Sequence, residues 1–99
     1  MDEAFLPLRD RLNLETARIE WTALQRFFAA GRVLQVASEI DLIDVAATFV
    51  EDKAEPIQAW MQAKQLQPVS DDTARAWVTN NPDNLWAIVV APWVLVQQR

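Results

Sequence analysis

A chain of 99 residues with 52% apolar side chains, five Trp and four Phe is sized for one hydrophobic core and too apolar to remain disordered. Its net charge of −5, with nine Lys and Arg scattered from Arg9 to Arg99, argues against a nucleic-acid partner, which a clustered basic face would announce. With no Cys and no His, disulfides, thiolate chemistry and sulfur or imidazole metal ligands are excluded, and any catalysis would fall to carboxylate, Lys, Arg, Ser or Thr. The N-terminus begins with Asp2 and Glu3 and lacks the basic and continuous apolar regions of a secretory signal, so a cytoplasmic protein without membrane segments is expected. No Gly- or Ser-rich linker divides the chain, which reads as a single domain over 1–99.

Leu8, Leu12 and Ile19 recur at helical offsets among charged residues, predicting an amphipathic helix over 8–19. Thr22 with Gln25 forms a capping-box pattern for a second helix carrying Leu24, Phe27 and Phe28, and Gly31 stops it near Ala30. Val33 to Ala37 is a short strand candidate. Leu42, Val45, Ala46, Phe49 and Val50 then give the clearest helical period in the chain, predicting a helix over 42–51. Pro56 suits the first turn of a fourth helix running to about Gln65, with Ile57, Trp60 and Met61 on its buried side and Asp52 available to cap the segment leading into it. Leu66 to Val69 is a second short strand, which Pro68 assigns to a sheet edge. Ser70 caps a last helix with Asp71 and Asp72 at its positive end and Ala74, Trp77 and Val78 facing inward.

After the turn-forming stretch Asn80 to Asn84 comes the strongest strand signal, Leu85 to Val96, a run without a charged side chain and rich in β-branched residues. It is too short to span a bilayer and must be buried in protein. Pro92 cannot donate to a ladder, so the first half is expected at the sheet centre and Trp93 to Val96 bending toward an edge or a partner. The predicted fold class is α+β: about five helices on a small three- or four-stranded sheet with a long C-terminal strand. A spacing of 33 relates Leu24, Phe27, Phe28 and Val33 to Ile57, Trp60, Met61 and Leu66, a match that ordinary helix–turn–strand grammar also produces.

Signals for chemistry are sparse. Glu39, Asp41 and Asp44 form an acidic cluster that a hard cation such as Mg²⁺ could bridge, but Asp41 and Asp44 also suit the N-cap and first turn of a helix, and that reading is stronger. Arg32, just after Gly31, could pair with one of these carboxylates or bind a ligand. Trp60 and Trp77 lie on apolar helical faces and read as core, whereas Trp93 stands where an exposed strand edge would invite another chain. There is no phosphate loop, nucleophile elbow or metal-ligand spacing. A helix–turn–helix drawn over 56–79 would aim Asp71 and Asp72 at phosphate.

The segments Glu15 to Trp21 (Glu-Thr-Ala-Arg-Ile-Glu-Trp), Gly31 to Val33, Asp41 to Ala46 (Asp-Leu-Ile-Asp-Val-Ala), Ala59-Trp60 and Pro92 to Gln97 (Pro-Trp-Val-Leu-Val-Gln) resemble an uncharacterised bacterial family, domain of unknown function 2288, over roughly residues 10 to 97. Members often place Asp-Pro after the first short strand, where this chain has Ala37-Ser38, so no role tied to that turn carries over. The resemblance implies a small bacterial cytoplasmic protein and brings no activity, cofactor or catalytic residue. The sequence therefore points first to a protein-interaction module, acting by homodimerisation or on another protein through Trp93. The alternative is a carboxylate-dependent metal binder or enzyme at Glu39, Asp41 and Asp44. No cofactor is expected.

Overall fold

In a computed structural model, residues 7–99 are described, and they form five helices and one five-stranded mixed sheet. The elements are α1 (Leu8–Glu15), β1 (Ala17–Arg18), α2 (Trp21–Ala29), β2 (Val33–Val36) and α3 (Leu42–Val50), followed by α4 (Ala54–Gln62), β3 (Leu66–Pro68), α5 (Asp71–Asn80), β4 (Leu85–Val90) and β5 (Trp93–Gln98). The expected α+β class is present. The reading of the N-terminus as free of a secretory signal rests mostly on residues 1–6, which lie outside the described residues. No helix among the described residues is long and apolar enough to cross a membrane.

The long apolar run is two strands, not one. The chain reverses at Ala91–Pro92, whose peptide bond is cis, and Val90 lies opposite Trp93. Pro92 thus occupies the turn, where its missing N–H costs no ladder bond. The strand order is β1-β4-β5-β2-β3, with β5 antiparallel to β4 and parallel to β2. The expectation that Trp93 to Val96 bends to an edge is therefore corrected: β5 is the middle strand. Val94, Leu95 and Val96 are all buried, because helices cover both faces. Leu95, Leu34, Val36 and Ile88 pack with Leu12, Val45 and Ala46 under α1 and α3, and Trp60 of α4 packs against the same cluster. Val94, Val96, Val33 and Leu85 pack with Trp21, Leu24, Ala74 and Trp77 under α2 and α5. A strand covered on both sides needs an unbroken apolar sequence, as this one has.

Other boundaries shift for local reasons. The first helix stops at Glu15 rather than residue 19, because Ala17 and Arg18 turn outward to pair with Ala87 and Trp86. Thr22 lies inside α2 and does not cap it; Glu20 is the N-cap residue, without a side-chain bond. The Gly31 stop is as expected: at φ 72° its N–H bonds the Phe28 carbonyl and the Arg32 N–H bonds the Phe27 carbonyl, the paired bonds of a Schellman ending. Asp52 and Lys64 end α3 and α4 in the same way at φ 56° and 59°, so Asp52 closes one helix instead of capping the next. The units related by a spacing of 33, α2–Gly31–β2 and α4–Lys64–β3, share this helix–stop–strand form. Met61 and Val78 stand exposed, against the expectation that they face inward. The Ser70 cap on the Thr73 N–H and the edge position of β3 are as predicted.

One polar side chain lies in this core. Gln97, only 2% exposed, donates from Nε2 to the carbonyls of Ala37 and Ile40 at 2.8 and 2.7 Å and accepts from Arg99 Nε at 2.9 Å. It ties the end of the middle strand to the loop that enters α3. Replacing Gln97→Met keeps the volume and removes the donors, so the Ile40 carbonyl loses its partner, the Ala37 carbonyl keeps only the Ile40 N–H at 3.3 Å, and Arg99 Nε loses its acceptor. Denaturant unfolding is expected to show a loss of about 1–3 kcal/mol, and an unchanged midpoint would contradict this role.

Candidate interaction surface

The residues singled out in the sequence do not converge on one site. Asp41 is the N-cap of α3, with Oδ1 accepting the Ile43 N–H at 2.8 Å. Asp44, in the first turn of the same helix, takes an ion pair from Arg9 on α1. That hydrogen bond and charge raise the Arg9 guanidinium above its ordinary value. Glu39 is exposed in the preceding loop. Among the described residues no three acidic side chains are grouped to hold a metal ion. Arg32 is exposed, and its role in the fold is through the main chain: its carbonyl accepts the Val94 N–H at 2.9 Å. Trp93 opens the middle strand, half-buried against the α1/α3 cluster.

The sheet margins are more informative. On the β3 side, residues 65 and 69 bond toward β2, as the Ala37–Gln65 and Val69–Val33 bonds show. By alternation Leu66 and Pro68 point outward, and Pro68 has no donor to offer. On the β1 side, Ile19 donates to the Leu85 carbonyl, whereas Arg99, just past β5, donates to the Asn84 carbonyl from the other side. Leu85, Ala87 and Val89 therefore aim their main-chain groups away from β5. Ile19 and Ala17 meet the first two. Among the described residues Val89 has no hydrogen-bond partner there, because α1 ends at Glu15, where a continuing β1 would have supplied one.

The Val89 side chain is also 62% exposed. Leu14 and Val78 are comparably exposed, but both are on helices, and Val78 lines the hollow between α2 and α5. Val89 is in mid-strand on the α2/α5 face of the sheet. It is part of a groove of about 200 Å³, with Ala87 and Val94 beside it on the floor and Leu24 and Phe27 of α2 as wall. Glu15 lines its rim, whereas Arg18, opposite Trp86 in the ladder, carries its side chain on the other face of the sheet and reaches the Asp83 carbonyl at 3.4 Å. Two other hollows are of similar size: one of about 280 Å³ at Arg18, Glu20, Asn81 and Asp83, and one of about 260 Å³ between α2 and α5. The second of these includes Trp21, whose buried indole N–H has no acceptor among the described residues. Sequence reasoning passed over Val89 because it sits within an unbroken apolar run; its exposure comes from where α1 and α2 end.

The separate roles of the two aspartates can be tested. Asp41→Ala removes the cap and is expected to cost about 1 kcal/mol in thermal or urea unfolding. Asp44→Asn loses only an exposed pair and should cost less than about 0.5 kcal/mol. Equal losses would overturn this division.

With the geometry in place, similarity to other proteins can be considered. No curated protein matches the sequence. The solution structure of PA1075 from Pseudomonas aeruginosa is similar at 43% identity and a TM-score of 0.80, over 93% of this chain and 84% of that one. Residues 7–98 match the model of the family described as protein of unknown function DUF2288, and the chain belongs to that family.

Proposed function

We propose that this chain is a non-catalytic interaction module that meets another protein molecule through the bare end of β4. The observation that carries the reading is Val89, a mid-strand residue with its side chain exposed and its main-chain N–H and C=O unpaired among the described residues. An open strand position beside an apolar groove is costly to leave facing water, and proteins ordinarily cover or charge such positions. The opposite margin is blunted by Pro68 in this way. The contact placed at Trp93 on sequence grounds moves to Val89, the residue across the hairpin that the helices leave uncovered. The metal-dependent alternative at Glu39, Asp41 and Asp44 has less support, since Asp41 and Asp44 are engaged in a cap and an ion pair.

Site-specific photo-crosslinking in the native host tests this. Benzoylphenylalanine at position 89 is expected to give a protein adduct on irradiation, and at position 58, on the exposed side of α4, none. Absence of any adduct at 89 would refute the reading.

A further inference from the structure

Resting on that reading, we infer that residues 7–18 are a hinged strap that regulates the β4 margin. The strap opens as one unit about Ile19 and, when open, adds Ala87 to Val89 as a free pairing position. Three observations lead there.

First, the segment is lightly held. In α1 only Leu12 is buried, with Leu8 half-buried against the same cluster, and both residues of β1 are exposed. Among the described residues its side chains make two polar contacts beyond the segment: the Arg9–Asp44 ion pair, and the reach of Arg18 to the Asp83 carbonyl at 3.4 Å. Both are exposed, where such contacts add little, and the second is long for a hydrogen bond. Few buried apolar contacts and exposed main-chain bonds mark the parts of a protein that open ahead of global unfolding. Second, the hinge is fixed. Ile19 donates to the Leu85 carbonyl and packs against the α2/α5 cluster, and Trp21 two residues on is buried. The strap can therefore leave while the chain from Ile19 onward stays in place.

Third, what the strap covers is continuous with what already lies open. Ala17 pairs with the outward main-chain groups of Ala87, and those of Val89 are unpaired among the described residues. Outward groups recur at every second residue, so release of β1 turns one open position into two neighbouring ones. That is the start of the row of main-chain groups on which strand addition depends. Release also withdraws Leu8 and Leu12 from the cluster that holds Ile88 and Val90. A partner segment that pairs with this edge binds only the open fraction of molecules, so its apparent affinity rises in proportion to that fraction.

Hydrogen exchange on the purified full chain at low denaturant, combined with crosslinking from position 89, is the test. The amides of Thr16, Ala17 and Ala87 are expected to share one opening and to be roughly a hundredfold or more less protected than that of Val94. Leu12→Ala removes the buried anchor and should open the strap roughly thirtyfold more often. Asp44→Arg, which sets a second cation opposite Arg9, should open it with less disturbance to the core. In either background benzoylphenylalanine at position 89 should give several-fold more protein adduct than in the wild type. Strap amides as protected as Val94, or exchanging independently of Ala87, would overturn the inference. So would an adduct yield that neither substitution raises, a result that leaves the interaction module standing. No adduct in any background rejects the module itself, and the strap's role with it.

Discussion

The reversal at Ala91–Pro92 is the constraint on which the rest of the structure depends. It turns one apolar run into two adjacent strands and brings β5 back alongside β4, where its free side can receive β2 in parallel. With β5 in the middle, each face of the sheet presents a full set of apolar side chains, and each needs its own helical layer. The α1, α3 and α4 helices cover one face, and α2 and α5 the other. A strand buried on both sides has no polar face to spend, which accounts for a sequence with almost no polar side chain until Gln97. That residue is tolerated because all three of its polar contacts are made within the protein.

The same arrangement creates a weak place at the β1 margin of the sheet. Covering two faces with short helices leaves the hairpin end of β4 reached by neither α2 nor β1. The two margins of the sheet are handled differently: β3 removes a donor with Pro68, and β1 supplies two residues of pairing and then yields to α1. Val89 falls just past that limit. Its position explains why apolar surface persists there.

Much of the fold was legible in the sequence. The helices at α3 and α5, their caps at Asp41 and Ser70, the Gly31 stop and the edge role of Pro68 all follow from spacing and local chemistry. The hairpin was not legible because its turn carries none of the Asn-Gly or Asp-Gly chemistry that usually marks a two-residue reversal, and Pro92 reads equally well as a bend. β1 was hidden because two residues leave no periodicity. The exposure of Val89 was not legible for a related reason: Trp93 and Val89 belong to one apolar run, and only the order of strands decides which is covered. Trp93 packs against the α1/α3 cluster, while Val89 stands 62% exposed.

Residue-resolved hydrogen exchange tests the central claim most directly, that β5 is spent inside the fold while the main-chain groups of Val89 lie open. The Val94 amide, bonded to the Arg32 carbonyl at 2.9 Å, should rank among the slowest. The Val89 amide should exchange orders of magnitude faster. A Val89 amide as protected as that of Val94 would contradict the account.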